Sequence, residues 1–323
     1  MAIPGLSFRP YRGDEDLPGL LAPLNAAWRD MGIDTVETLT GLTTAYHTLT
    51  NCDLERDALI AEVDGDVVGY GRVEWREQPE GGRIYSQICL IPDAWGGRGL
   101  GTALFGWNAR RIAEIAAEHE RHALDCVEVW ATDRQPAGHA LARAAGFEAA
   151  AYEATMVRPD LEDLPDPVLP EGFEVRTPRP DEMRKVWEAD VEAFRDHFGA
   201  IEPSEADFTH FLEYQWYEPE LWRIAWDGAE VASQVRAFIN TAENEQFGRR
   251  RGYTEDISTR RPYRRRGLAR ALLVMSLHAL KERGMQEAAL SVHTENPLGA
   301  LDLYESVGFR RTLLSTIYRR PLR

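Results

Sequence analysis

The pattern of hydrophobic and polar positions predicts strands and helices in alternation, and it is clearest between residues 253 and 284. Residues 253–259 alternate between the two classes, which predicts a strand. A basic, glycine-containing loop follows. Apolar residues then recur at helical spacing up to Gly284, which is placed to end the helix. The apolar face of this helix carries Leu268, Ala271, Leu272, Met275 and Ala279.

The same order of elements occurs twice along the chain. Each half opens with a short strand that ends in an arginine, Arg9 or Arg176, and continues with an acidic stretch and a helix. Each then has a hairpin with an Asp-Gly turn, a long strand, a glycine loop, a long helix and another strand. A short helix ending in Gly-Phe follows, at residues 146–147 and 308–309. This many shared landmarks predicts a duplicated chain.

We therefore predict two domains of the α/β class, at residues 1–157 and 173–323. Strands joined by crossing helices favour a mixed sheet with helices against it in each domain. Residues 158–172 are rich in proline and acidic residues, which indicates an extended linker.

Composition and charge narrow the functional classes. The chain has 323 residues, 44% of them hydrophobic, and a formal net charge of −16, so it is poorly suited to bind nucleic acid. No apolar run approaches the roughly 18 residues that span a bilayer, and the first residues do not form a signal peptide. Cys52, Cys89 and Cys126 form neither a disulfide framework nor a metal-ligand pattern. We expect a cytoplasmic protein without a metal.

The loop between the predicted strand and helix, residues 260–267, is the main candidate for chemistry. A strand, a basic loop and a helix start together favour binding of a pyrophosphate, since the N–H groups of the first helical turn point at the anion. The loop lacks the Gly-Lys-Ser/Thr of a Walker motif and the glycine spacing of a dinucleotide fold. The simpler interpretation is a tight turn that needs glycine for close packing.

Two motifs in this half resemble a known superfamily. Arg264-x-x-Gly267-x-Ala269 after a strand resembles the coenzyme A signature of the GCN5-related N-acetyltransferases (GNAT), and the run from Asn296 through Tyr304 to Gly-Phe resembles their second motif. The resemblance extends to both halves and implies a tandem type similar in architecture to the mycothiol synthases. It implies two tandem GNAT-like domains, each with a central mixed, mostly antiparallel sheet flanked by helices, and acetyl-coenzyme A as cosubstrate.

The resemblance also implies roles for particular residues. Glu255 is the candidate general base, with Glu243 and Glu245 as further candidates; the alternative role for Glu255 is an exposed or ion-paired strand carboxylate. Strict alternation along the strand predicts that Glu255 and Ile257 share a face that Asp256 does not. Tyr304 is the candidate general acid near the coenzyme A sulfur, or a core aromatic. Asn296 is expected to bind the pantetheine arm, to cap a helix, or both.

The remaining cofactor contacts follow the same resemblance. The backbone of residues 257–259 is expected to hydrogen-bond the pantetheine amides, and the loop to surround the pyrophosphate; a solvated basic turn is the alternative for the arginines. The acceptor pocket is expected within residues 187–222, whose aromatic and acidic side chains could bind a cationic amine. The alternative is that the aromatic residues pack in the core. The expected cofactor-binding residues, besides Asn296, are Ile257, Ser258, Thr259, Arg264, Arg265, Arg266, Gly267, Leu268, Ala269 and Arg270.

The first half lacks these side chains at the aligned positions. The two loops are aligned on their glycines, and the second motifs on their Gly-Phe. At the positions of the candidate base, the candidate acid and the loop arginine, the first half then has an amide, a methyl group and a glycine. The first domain is therefore interpreted as structural or as a vestigial cofactor binder. The aligned pairs are Gln87 with Glu255, Gly96 with Arg264, Arg134 with Asn296, and Ala142 with Tyr304.

The predicted function is an acetyl-coenzyme A-dependent N-acetyltransferase that acts on a primary amine of a small molecule. The second half has no cysteine, which favours direct attack in a ternary complex over an acetyl-enzyme. The alternatives are a non-catalytic acyl-coenzyme A sensor or scaffold, and an acetyltransferase for protein N-termini or lysines. We expect a monomer or homodimer that does not bind nucleic acid or membranes.

Overall fold

The computed structural model describes residues 3–295 and 299–322, which form two compact units. The chain up to Tyr152 and the residues from Ser315 onward form the first unit, and Glu153–Leu314 form the second. None of the helices in the described ranges has the length and apolar character needed to cross a membrane.

The first unit places its helices against a mixed sheet with the order β1-β2-β3-β4-β5-β12. β4 and β5 are parallel, and the pairs β1/β2, β2/β3, β3/β4 and β5/β12 are antiparallel. The elements of this half are β1 (Leu6–Pro10), α1 (Leu17–Asp30), α2 (Leu39–His47), α3 (Leu54–Asp57), β2 (Ala58–Val63), β3 (Asp66–Glu77), β4 (Arg83–Leu90), α4 (Leu100–Ala117), β5 (Cys126–Thr132), α5 (Pro136–Ala144) and β6 (Glu148–Arg158).

The second unit repeats this plan with the sheet order β6-β11-β10-β9-β8-β7. Here β10 and β11 are the parallel pair, and β6/β11, β9/β10, β8/β9 and β7/β8 are antiparallel. The elements are β7 (Glu174–Val175), α6 (Met183–Phe194), α7 (Glu205–Glu213), β8 (Arg223–Asp227), β9 (Glu230–Phe238), α8 (Thr241–Phe247), β10 (Arg251–Thr259), α9 (Leu268–Glu282), β11 (Glu287–His293), α10 (Ala300–Ser306) and β12 (Arg310–Pro321).

These sheets confirm the predicted fold class, a mixed and mostly antiparallel sheet flanked by helices in each repeat. The boundaries of the compact units differ from the predicted domain boundaries, because the strands β6 and β12 each belong partly to one unit and partly to the other. The last six residues of β6 pair with β11 in the second unit. Residues 315–321 of β12 pair with β5 in the first. Residues 158–172, predicted as a linker, lie within the second unit.

A buried arginine fixes the start of that predicted linker. Arg158 donates to the backbone carbonyls of Asp160 (2.9 Å) and Asp163 (2.8 Å) and to that of Val307, at the end of α10. Because three carbonyls satisfy its guanidinium, Arg158 is buried without a carboxylate partner and ties residues 160–163 to the helix that carries Tyr304.

The arginine that ends the first strand of each repeat makes the same contact in both. Arg9 binds both carboxylate oxygens of Asp16, at 2.7 and 2.8 Å, and Arg176 does the same with Glu182. Each acid lies in the short turn that leads into the first long helix, α1 or α6. The bidentate pair therefore fixes the direction in which this helix leaves the strand.

The long helix α9 begins and ends where the apolar spacing predicts. Its predicted face packs into the second unit, with Leu268, Ala271 and Leu272 nearly inaccessible to solvent. Gly284 follows the C-cap with φ of +81°, the left-handed conformation expected just past a helix end.

We predict that Gly308→Ala destabilises the protein more than Gly284→Ala. Both glycines have positive φ, +92° and +81°, so each alanine costs about 1 kcal/mol of backbone strain. At Gly308 the new Cβ would also lie 2.2 Å from Nη1 of Arg158, whereas at Gly284 it would meet open space. Displacing that guanidinium from its carbonyls should cost about 1–3 kcal/mol more. The urea midpoints of the two variants measure the difference, and equal midpoints would contradict it.

Candidate functional site

A β-bulge in β10 determines the geometry of the candidate site. Glu255 lies opposite Arg236 of β9, but Ser258 lies opposite Gln234, so β10 contains one extra residue between the two pairs. Asp256 takes up this residue with φ of +48°, which is uncommon for a side chain other than glycine. The strict alternation predicted for this strand therefore fails at Asp256.

A cavity of about 590 Å³ opens beside the bulge. β10 pairs with β11 only through its first three residues, Arg251–Tyr253, and the two parallel strands then diverge. The cavity is lined by the separated part of β10, the end of β11, the glycine loop, the start of α9, and α10. Glu255, Asp256 and Ile257 all line it, because the bulge turns consecutive side chains toward the same space.

The structure brings most of the predicted site residues to this cavity. Arg266 does not line it; its guanidinium lies over the Phe173 ring, 4.4 Å from the centroid. Asn296 lies outside the described residues. The predicted residues that line the cavity are Glu255, Ile257, Ser258, Thr259, Arg264, Arg265, Gly267, Leu268, Ala269, Arg270 and Tyr304.

The backbone of the glycine loop has the conformation of an anion-binding nest. Arg265 and Gly267 have positive φ, +64° and +85°. Gly267 is the N-cap of α9, and no side chain caps this helix. The N–H groups of the first turn are therefore available at the cavity, together with the positive end of the helix dipole.

The loop arginines are held by acidic residues and carbonyls rather than free. Arg264 donates to Asp196 (2.8 Å) and to the carbonyls of Ala193 (3.1 Å) and Thr259 (3.0 Å). Asp196 also pairs with Arg261, and these two hydrogen bonds depress its pKa. Arg264 thus fastens the loop to the end of α6. The sequence analysis did not identify Asp196 as a partner, since 68 residues separate it from Arg264.

Glu255 and Tyr304 both line the cavity, and burial raises the pKa of each. Desolvation raises the pKa of Glu255 well above its ordinary value, and the nearby carboxylates Asp256 and Glu153 raise it further; hydrogen bonds from Ser291 oppose them. Tyr304 is 5% exposed, and burial, with the charge of Glu255, raises its pKa too. Glu255 is therefore a stronger proton acceptor than an exposed glutamate, and Tyr304 stays protonated at neutral pH.

Polar residues that the sequence analysis missed continue the site along β11. Ser291 and His293 are alternate residues of this strand, and Glu153 of β6 lies directly opposite His293. His293 Nε2 is 3.8 Å from the Glu153 carboxylate. All three line the cavity with Glu255. The alternation along β11 could have indicated Ser291 and His293, but only the pairing of β6 with β11 brings Glu153 to the site.

Few residues of the segment 187–222, predicted to form the acceptor pocket, line the cavity, and two of its aromatic residues pack in the core. Phe211 and Trp222 belong to a buried cluster against which Tyr217 packs. From this segment, Ala193, Phe194 and His197 line the cavity. Burial lowers the pKa of His197, with His293 and Arg264 adding to the effect, so His197 is neutral at pH 7.

The first unit keeps the backbone of the loop but not the chemistry of the cavity. Gly97 and Gly99 have φ of +68° and +90°, as Arg265 and Gly267 do. The sequence alignment of Gln87 with Glu255 was wrong by one residue: β10 has an extra residue that β4 lacks, so the strand pairings match Glu255 with Ile88. Gln87 lies opposite Val73 in a β3/β4 pairing without a bulge. Its amide is buried and has no hydrogen-bond partner among the described residues.

Comparison with known proteins assigns the chain to a family. The model of the acetyltransferase (GNAT) family matches residues 184–309. A mycothiol acetyltransferase of Thermobispora bispora is 30% identical over 262 residues, which cover 80% of this chain and 81% of the relative. The chain belongs to the GNAT family. It is accordingly an N-acetyltransferase, and the matched region contains the whole of the bulge and the glycine loop.

Solved structures agree with this GNAT protein in fold. The GCN5-related N-acetyltransferase from Sphaerobacter thermophilus superposes with a TM-score of 0.74 at 23% identity, covering 100% of this chain and 98% of that one. A tandem GNAT protein from the clavulanic acid biosynthesis pathway gives 0.66 at 17% identity, covering 98% of each chain. The tandem arrangement predicted from the repeated landmarks is thereby confirmed.

Proposed function

We propose that the second unit transfers the acetyl group of acetyl-coenzyme A to a primary amine of a small molecule, by direct attack in a ternary complex. One observation supports this most: an anion-binding backbone, a carboxylate of raised pKa and a buried tyrosine line one cavity. Each corresponds to one requirement of acetyl transfer, namely cofactor binding, proton removal and proton donation.

The residues of the cavity suit coenzyme A. The uncapped first turn of α9 and the left-handed residues Arg265 and Gly267 would hold the pyrophosphate, and residues 257–259 would bind the pantetheine arm in the manner of an added strand. The bound cosubstrate supplies a thioester to the amine and leaves as a thiol.

Glu255 and Tyr304 divide the proton transfers between them. Glu255 takes the proton that the amine loses as its nitrogen forms the new bond to carbon. Tyr304 gives its hydroxyl proton to the departing sulfur as the carbon–sulfur bond breaks. Burial keeps Tyr304 protonated near neutral pH and raises the pKa of Glu255, which makes its carboxylate a stronger base than that of an exposed glutamate.

The acceptor is proposed to be a cationic amine. Glu153, Glu255 and Asp256 line one part of the cavity, whereas the arginines of the loop line another. An ammonium group is attracted to the acidic part and releases one proton to solvent; the neutral amine that attacks then gives a second proton to Glu255. The curated relatives carry the name mycothiol acetyltransferase, so the desacetyl form of mycothiol heads the acceptors to be tested.

Catalysis is assigned to the second unit alone. The first unit has Gln87 and Ile88 at the place of the proton acceptor, neither of which takes a proton, and Ala142 replaces the proton donor with a methyl group. The first unit is proposed to be structural or a vestigial cofactor binder.

Thiol release from acetyl-coenzyme A tests the proposed function. The panel contains desacetyl mycothiol, small mono- and diamines, and peptides with a free N-terminus or a lysine. Release with a small amine supports the proposal, and release with peptides alone would replace it with protein acetylation. Tight binding of acetyl-coenzyme A without release for any acceptor would indicate a sensor or scaffold.

We predict that Arg264→Glu weakens binding of acetyl-coenzyme A, by on the order of 10- to 100-fold, because the change removes three hydrogen bonds that shape the loop and repels Asp196. Arg98→Glu in the first unit is the matched control and should leave turnover unchanged within about twofold. Calorimetry gives the dissociation constant. Equal loss of turnover from both changes would refute the assignment of catalysis to the second unit.

We predict that Tyr304→Phe lowers kcat by about 100-fold or more while the dissociation constant of acetyl-coenzyme A stays nearly constant.

In the unmodified protein, kcat/KM should rise with pH through the pKa of Glu255, because the base works only when deprotonated. That midpoint should lie above the ordinary glutamate range, and Glu255→Gln should abolish the rise. A profile that is flat from pH 5 to 8 would contradict the role of Glu255.

A further inference from the structure

Arg236 of β9 connects helix α6 to the bulge of β10. Its Nη2 lies 2.8 Å from Asp190 of α6 and 3.1 Å from Asp256. The guanidinium is nearly buried and stands over the Phe211 and Trp222 rings, at 4.8 and 5.8 Å from their centroids. Arg236 therefore has little freedom to move, and Asp256 meets a cation held in a fixed place.

Asp190 holds the other side of this arginine and is itself held. Its carboxylate accepts a hydrogen bond from the side chain of Gln234 (3.2 Å), and Ser258, on the far side of the bulge, hydrogen-bonds to it as well. Burial raises the pKa of Asp190 to about 7, while Arg236 opposes the shift. The network thus reaches Asp256 within the bulge and Ser258 just after it.

The first unit lacks both the network and the bulge. Alignment of the two first helices on their aromatic-Arg-Asp step places Leu24 where Asp190 stands. The β3/β4 register has no extra residue. Because β10 has one, the strand pairings match Arg236 with Arg72 of the first unit. Arg72 pairs with Glu74 of its own strand. Both units thus have an arginine at this place, but an acid of the first helix accompanies only the bulged strand.

We propose that Arg236, held by Asp190, is a positioning residue that fixes the bulge at Asp256 and thereby aims Glu255 into the cavity. The inference rests on the proposed function for its kinetic consequences, and on the β9/β10 register for its structural ones. Arg236 also offsets the charge of Asp256, which is one of the carboxylates that raise the pKa of Glu255.

The decisive variant removes both charges, Asp190→Leu with Arg236→Met. Replacing a buried ion pair with apolar residues is often compatible with folding. We expect kcat to fall about 100-fold, since Glu255 loses its direction, while acetyl-coenzyme A binds within about threefold of the normal affinity. A kcat within about threefold of normal in a folded variant would overturn the proposal.

Arg184→Met is the matched control for loss of an arginine that bridges a carboxylate and aromatic rings. Arg184 of α6 pairs with Glu205 at 2.7 Å and lies over the Phe208 ring at 3.6 Å, but it does not line the cavity. Its kcat should stay within about twofold of normal. A loss equal to that of the double variant would assign the effect to general packing and overturn the proposal.

The pH profile separates positioning from mere stability. Arg236→Met leaves the charge of Asp256 without its partner, so the pKa of Glu255 rises and the acid limb of kcat/KM moves to higher pH. Adding Asp256→Asn should move the limb back, and a limb unmoved by either change would overturn the proposal. The titratable and charged groups around Glu255 are Asp256 on β10, Arg236 on β9, Asp190 on α6, Glu153 on β6, His293 on β11, Tyr304 on α10 and His197 after α6.

A crystal structure of the double variant tests the inference even if the unmodified protein acetylates no amine. Failure of turnover in the unmodified protein refutes the proposed function and says nothing about the bulge. A β9/β10 register that becomes regular, or a Glu255 turned away from the cavity, supports the positioning role. An unchanged bulge with Glu255 in place overturns it.

Discussion

One extra residue in β10 is the constraint on which the site depends. A regular strand presents alternate side chains to one face, so it cannot direct Glu255, Asp256 and Ile257 into one cavity. The bulge achieves this by placing Asp256 in a left-handed conformation that costs on the order of 1 kcal/mol. Contacts elsewhere must offset that cost, and in this chain an ionic contact from Arg236 reaches the strained residue itself. The cavity is thus built from a local departure from sheet geometry.

The two repeats show that a phosphate-type loop does not by itself make an active site. Both loops have left-handed residues at the same two positions and begin a long helix there. They differ in the neighbouring strand, which brings Glu255 to the cavity beside a bulge in the second unit and is regular, with Gln87 and Ile88 at this place, in the first. The loop is a property of the backbone and survives many substitutions, whereas the acid–base pair depends on two particular side chains.

Much of this could be read from the sequence, and the reasons for the rest are physical. Helix α9 and the repeated order of elements follow from local spacing, which tertiary context leaves unchanged. The bulge was not predicted, because an extra residue is visible only once the register of β9 is known. Glu153 and Asp196 were missed for the same reason: each reaches the site through a pairing or ion pair that spans dozens of residues. The division of β6 and β12 between the units likewise depends on which strand each half finds as a neighbour.

Charges of opposite sign line different parts of the cavity in the second unit, and this separation suits the proposed reaction. Cations and N–H groups collect at the loop, where a cosubstrate with phosphates would lie, and carboxylates collect at the bulge, where an amine would lose its proton. Burial and the neighbouring carboxylates raise the pKa of Glu255. Arg236 offsets the charge of one of these carboxylates by pairing with Asp256, and it is itself held by Asp190. A base that is raised in pKa, yet still able to ionise, requires that balance.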